Sequence, residues 1–214
     1  MTFIIALQTA DSLVLSADNT MLAFHNGEIA PFEKMNANKI HPWNNGFITG
    51  TGEYCVIDRM RKYLIALHDI PSLPSWLTHE KHLRTQEIGE HEQIANTRLI
   101  LSSITPNGPR IYMVDNQSAQ EIQPGELLLF FPLDYDFLTA SGQEIHALNT
   151  AIRDYSTFEN HQAWCDFYTA HFSTVYAIQH QNNPQISGSF HIVFQTHHQK
   201  HMNFMPNFDH SNLL

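Results

Sequence analysis

Positive charge is scarce in this chain: 11 Lys and Arg stand against 21 Asp and Glu among 214 residues, a formal charge of −10 with histidine neutral. A protein that grips a phosphate backbone needs a basic face, so the balance argues against nucleic acid as a partner. Cysteine is almost absent, Cys55 and Cys165 being the two thiols. Both fall in segments with helical periodicity, the pattern of buried free thiols rather than of a disulfide framework. Long apolar runs are missing too. The longest, Leu127 to Leu133, falls far short of the roughly 20 residues that a bilayer-crossing helix needs. The N-terminal MTFIIALQTADS has neither a basic n-region nor a small-residue cleavage site, so the expected location is the cytoplasm, with no membrane association.

Histidine, by contrast, is plentiful, with 15 residues. Its clusters are poorly spaced for metal. His79-Glu80-Lys81-His82, followed by His91, is one residue short of the HExxH pattern that sets two imidazoles on one helical face. His197, His198 and His201 fall near the C-terminus, where polar tails are common. The expectation is solvated surface histidines, with no metal and no cofactor.

With 43 % hydrophobic and 15 % charged residues, the composition is that of one globular domain over 1–214, residues 196–214 forming a flexible or packing tail. The apolar runs 3–7 (FIIAL) and 13–17 (LVLSA) flank turn formers and predict a buried hairpin. A second hairpin is predicted around Pro42-Trp43-Asn44-Asn45, after a polar loop around His25 to Glu33. Val56, Ile57, Met60, Leu64 and Leu67 lie on one helical face within 53–69, and a more polar helix spans about 75–91. Strands at 97–102 and 110–114 flank the turn Thr105-Pro106-Asn107-Gly108, and Leu127 to Phe131 reads as a further strand. Helices are predicted from Ser141-Gly142 onward and over about 157–181, where Asn182-Asn183-Pro184 stops the second, before a last strand at 189–196. Strands in groups and helices in pairs fit an α+β fold in which sheets pack together with helices outside.

Centring the first hairpin on Ala10 pairs positions whose numbers sum to 20 and sets Thr2 opposite Asp18, with Cβ atoms about 4.5–5.5 Å apart. A threonine hydroxyl is a weak nucleophile until a base takes its proton, and a free α-amino group, with a pKa of about 7.7–8.0, is such a base. Removal of Met1 would give Thr2 that amine.

Thr2-Phe3-Ile4-Ile5-Ala6, Leu13-Val14-Leu15-Ser16-Ala17-Asp18, Asn38-Lys39-Ile40 and Ile48-Thr49-Gly50-Thr51-Gly52 together resemble the proteasome β-subunits and bacterial proteasome-like members of the N-terminal-nucleophile (Ntn) hydrolases. Ile111-Tyr112-Met113-Val114-Asp115, Ala140-Ser141-Gly142-Gln143 and Asn183-Pro184-Gln185-Ile186-Ser187-Gly188 continue the likeness in the family's order. The resemblance implies a four-layer αββα sandwich of two antiparallel sheets flanked by helices. It implies a threonine-type hydrolase acting on a peptide or small amide, assembled as a homo-oligomeric ring.

By the same resemblance Thr2 is the nucleophile, Lys39 the neighbouring cation and Asp18 its partner. Gly52, or Gly50 in another register, supplies the oxyanion N–H; Ser141 and Ser187 support the amine; and a specificity pocket lies near Thr20, Met21 and Thr51. The chain departs from the family's pattern in three places. The interval from Asp18 to Lys39 is longer by about five residues, which makes Lys34 an alternative cation. Asn182-Asn183-Pro184 replaces an acidic residue before Ser187, and Gly52-Glu53 replaces Gly-Gly. The departures leave a second expectation open, a catalytically inactive protein of the same fold that acts as an oligomeric scaffold or binding subunit.

Overall fold

The computed structural model describes residues 2–25, 28–131 and 137–207, with the side chains of 22–36 and 137–140 excepted. Strands β1 (Ile4–Gln8), β2 (Ser12–Asp18), β3 (Thr20–His25), β4 (Glu28–Asn36), β5 (His41–Trp43) and β6 (Gly46–Thr51) precede helices α1 (Tyr54–Leu67), α2 (Leu73–Ile88) and α3 (Glu92–Ala95). Strands β7 (Arg98–Thr105), β8 (Gly108–Val114), β9 (Ala119–Glu121) and β10 (Leu127–Phe130) follow, then α4 (Phe137–Thr150), α5 (His161–Asn182), β11 (Phe190–Thr196) and β12 (Lys200–Met205). One antiparallel sheet has the order β10-β1-β2-β11-β12, the other β5-β6-β7-β8-β9, and β3 pairs with β4 in a separate ribbon.

The apolar pattern explains the layering. Ile5, Leu7 and Val14 face α5, packing with Trp164, Tyr168, Phe172 and Tyr176. Their neighbours Ile4, Ala6, Leu13 and Leu15 face the opposite way, onto Ile100 and Ile111 of the second sheet. A strand buried on both faces reads as a continuous apolar run, as FIIAL does. The outer face of the second sheet, through Ile48, Leu99 and Leu101, packs on Val56, Met60 and Leu64 of α1 and Leu77 of α2. The result is the expected α-β-β-α sandwich. Each large apolar side chain so buried contributes about 1.5–3 kcal/mol.

Three expectations about the elements are corrected. Of the polar loop expected around His25 to Glu33, His25 belongs to strand β3 and residues 28–33 to strand β4; residues 26 and 27 lie outside the described residues. The segment α4 is two helices joined across non-helical backbone at Ser141 (φ −141°, ψ 21°), so a helix starts at Ser141-Gly142 as expected, with a further helical turn from Phe137 before it. Helix α5 begins later than expected because Tyr155–Thr157 form a 3-10 turn and Asn160 caps the helix, accepting from the Ala163 N–H at 2.9 Å. Within the predicted tail, Lys200–Met205 form edge strand β12, paired with β11; residues 208–214 lie outside the described residues. A mixed polar and apolar strand at a sheet edge does not show the apolar run by which buried strands are read.

The first hairpin is in a different register. Ile4 pairs with Ala17 and Gln8 with Leu13, so paired numbers sum to 21. The turn Thr9–Ser12 closes on a 2.8 Å bond from the Thr9 N–H to the Ser12 carbonyl. Thr9 Oγ1 and Ser12 Oγ, 2.7 Å apart, hold the same turn through their side chains. Phe3, not Thr2, is therefore opposite Asp18, and Thr2 lies one residue further out, level with Asn19.

Candidate active site

The outer end of the β1–β2 hairpin is built around Asp18, 1 % exposed. Its Oδ1 accepts from the Phe3 N–H at 2.8 Å and from Lys39 Nζ at 2.7 Å, and its Oδ2 accepts from the Thr20 N–H at 3.0 Å. One carboxylate thereby fixes the backbone next to Thr2, the entry to β3 and the lysine. Lys39 is directed there by its neighbours: Ile40 is buried between the two sheets, and Asn38 Oδ1 accepts from the Ile40 N–H at 2.9 Å. With Ile40 pointing into the core, Lys39 points the other way. Lys39 is 7 % exposed, and burial pushes its ammonium below the ordinary 10.5 while the Asp18 charge opposes the fall. The side chain of the alternative cation, Lys34, lies outside the described residues.

Thr2 is half-buried. Beside it, His191 Nδ1 lies 2.7 Å from Asn19 Oδ1, and Asn19 Nδ2 donates to Ser189 Oγ at 3.3 Å. Ser189 Oγ in turn lies 2.7 Å from Ser187 Oγ. Burial pushes His191 below 6.5, and a hydrogen on Nδ1 lets the ring donate to the Asn19 carbonyl oxygen. Ser187 thus reaches the Thr2 end of the hairpin through Ser189 and Asn19. Ser141 is buried and accepts from Gln179 Nε2 at 2.7 Å. Tyr176, one turn before Gln179 on α5, donates to the Phe3 carbonyl at 3.3 Å and lies 3.0 Å from Ser16 Oγ.

Gly52 adopts φ +102°, and a Cβ there would lie 2.5 Å from the Thr97 Cα. Only glycine fits this turn. The next residue, Glu53, caps α1: its Oε2 accepts from the Val56 N–H at 2.9 Å, its own N–H donates to Thr97 Oγ1 at 3.0 Å, and Arg84 holds its Oε1. Gly50 lies within β6, opposite Leu99, where a Cβ would meet the Arg98 carbonyl at 2.4 Å. The turn before Ser187 is closed by Asn183, whose Oδ1 accepts from the Gln185 N–H at 3.0 Å.

Four residues of this end were not anticipated from the sequence: Asn19, Tyr176, Ser189 and His191. Tyr176 alone had a signal, as a polar-tipped aromatic on the buried face of a long helix, where such a hydroxyl needs a partner. Thr20, placed in the specificity pocket by resemblance, is buried with no hydrogen-bond partner for Oγ1. A cleft of about 620 Å³ lined by His68, Pro71, Ser75, Ser103, Tyr112 and Gln117 lies on the α1–α2 side and includes none of these residues. No described helix is long and apolar enough to cross a membrane.

No protein-family model matches the chain, and no curated protein sequence matches it. Among solved structures, a Gly-1 mutant of Anbu from Hyphomicrobium sp. strain MC1 superposes with a TM-score of 0.67 at 11 % identity, over 99 % of this chain and 90 % of that one. Anbu is a bacterial proteasome-like protein of the Ntn-hydrolase fold. The chain therefore has the proteasome-like Ntn-hydrolase fold, with the layers and helix pairs described above.

Proposed function

We propose that this protein is a threonine-type Ntn amidohydrolase or peptidase, with Thr2 as nucleophile once Met1 is removed. The observation that carries the reading is the shared Asp18 oxygen, which binds both the Phe3 N–H and the Lys39 ammonium. The arrangement fixes a buried positive charge next to the residue whose amine must be neutral to act. A cation there lowers the amine's pKa toward neutrality, so that it can take the Thr2 Oγ proton. The Oγ then attacks the amide carbonyl, the Gly52 N–H donates to the resulting oxyanion, and the ammonium returns its proton to the leaving amine. Water releases the acyl group from the ester, with the same amine as base.

In this reading Asp18 positions Lys39 and the β1 backbone. Ser187 acts on the amine through Ser189 and Asn19, and Ser141 holds the α4 kink against α5. The buried, unpartnered Thr20 hydroxyl is offered to the bound substrate, a peptide or a small amide. The protein works as a homo-oligomeric ring, as the family resemblance implies.

A Thr-directed epoxyketone or β-lactone tests this reading. One equivalent of label on the wild type, absent from Thr2→Ala, is the expected result; equal labelling of both, or none of the wild type, refutes it. The scaffold reading is favoured by the turn before Ser187, where Asn183 supplies an amide in place of a carboxylate and its oxygen is occupied by Gln185. A folded, ring-forming wild type with Met1 removed and no labelling would establish that reading.

A further inference from the structure

The N-terminal turn of α5 and edge strand β12 bring together three metal-ligating side chains. His161 and Cys165 are four residues apart on one helix and share a face. His201 on β12 stacks on Phe194, with ring centroids 5.2 Å apart, and meets them there. His161 Nε2 lies 3.2 Å from His201 Nδ1, and Cys165 Sγ lies 3.6 Å from His201 Nε2. One donor atom from each of the three residues lies within 4.8 Å of the other two. The two short contacts use opposite nitrogens of the His201 ring, so one ion takes only one of them. Tetrahedral zinc, with Zn–N of about 2.0–2.1 Å and Zn–S of about 2.3 Å, holds such atoms about 3.3–3.6 Å apart, and a set lying within 4.8 Å draws in by about 1 Å to bind it.

A second observation is independent of these distances. His161 Nδ1 is buried and has no hydrogen-bond partner. Whichever ring donates across the His161–His201 contact, that nitrogen stays unpaired, an arrangement that native interiors rarely keep. The His161 ring therefore brings a buried, unpaired nitrogen to the cluster, the kind of polar atom that a metal ion can pair. The donor set selects the ion: two imidazoles and a thiol, with no oxygen ligand, suit zinc and its transition-metal relatives and not magnesium or calcium.

We propose that His161, Cys165 and His201 form a zinc-class metal site with three protein ligands and a fourth coordination position open. Binding forms one Zn–S bond and two Zn–N bonds and releases the Cys165 thiol proton to solvent. Burial and the Asp166 charge push that thiol up to about 11, so the metal-free protein retains the proton at neutral pH. The site is separate from the Thr2 end: Asp18 pairs with Phe190 and His201 with Phe194, a separation of about 13 Å along β11. Occupancy would tie edge strand β12 to α5 over the core.

The test is a cobalt(II) titration of the full-length protein after chelator treatment. The expected result is a near-ultraviolet thiolate-to-cobalt charge-transfer band that saturates at one equivalent and is displaced by zinc. The band is lost in Cys165→Ser and in His201→Ala but retained in Cys55→Ser and in a His197→Ala/His198→Ala double variant. Absence of the band from folded wild type overturns the proposal, as does its survival in Cys165→Ser or its loss in Cys55→Ser. The wild-type titration decides the matter alone if a variant fails to fold. Labelling at Thr2 does not enter this test, so the two readings fail separately.

Discussion

Replacing Asp18 by asparagine keeps the shape of the side chain and removes its charge. Asp18 accepts three hydrogen bonds, two at Oδ1 and one at Oδ2. Asparagine has one acceptor oxygen and a donor NH2, so it satisfies either the Phe3 N–H and Lys39 or the Thr20 N–H, and sets a donor against a donor at the other end. An unpaired buried donor costs about 1–3 kcal/mol. Lys39 also loses the charge that compensates it, and removing one partner of a buried pair costs about 3–5 kcal/mol. The two effects overlap, because Lys39 can shed its proton, which burial already favours. The net expectation is about 3–5 kcal/mol, or a fall in Tm of roughly 6–20 °C for a chain of this size. Lys39→Met in the Asp18→Asn background removes the stranded charge and recovers part of the loss, with a coupling of about 1 kcal/mol or more. Urea unfolding of the wild type, both single variants and the double variant completes the cycle. An Asp18→Asn protein within about 1 kcal/mol of wild type, or strictly additive variants, would refute the reasoning.

Gly52→Ala forces a side chain into a φ of +102° against the Thr97 backbone and should destabilise by about 1–3 kcal/mol in the same unfolding assay. Tyr176→Phe should cost only about 1 kcal/mol, because the Phe3 carbonyl still accepts from the Asp18 N–H at 3.0 Å; a much larger loss would mean that the hydroxyl does more than this bond. Lys81 donates to the Ala95 carbonyl, and burial, with Arg98 nearby, pushes its ammonium down to about 8 from 10.5. Between those values the unfolded chain binds more protons than the folded one, so this group makes stability rise with pH from about 8 to 10.5. Lys81→Met should flatten that slope, and an unchanged slope would contradict the assignment.

The layers were legible because apolar residues in β1, β2 and α1 follow strand or helix periods on faces that pack against something. The ribbon β3–β4 and strand β12 lie outside the continuous cores, so their sequences lack that imprint. The hairpin register depended on whether the turn closes at Thr9–Ser12, a matter of two hydroxyls and one backbone bond that a count from Ala10 does not register. The Asp18–Lys39 pair spans 21 residues and came into view through family resemblance, whereas Asn19, Ser189 and His191 meet only because β2 and β11 pair. Histidine showed the limit most clearly. His79, His82, His197 and His198 are exposed as expected, but His201 turns inward and pairs with His161, whose i, i+4 partner Cys165 was readable in the sequence. That spacing was masked by the aromatic residues around it.

The central claim is that Thr2 acts through its own α-amine, and the N-terminus of the natively produced protein tests it most directly. Intact-mass measurement should give a chain lacking Met1, beginning at Thr2. A protein that carries Met1 in full has a peptide nitrogen at Thr2 in place of a base, and that result would contradict the account.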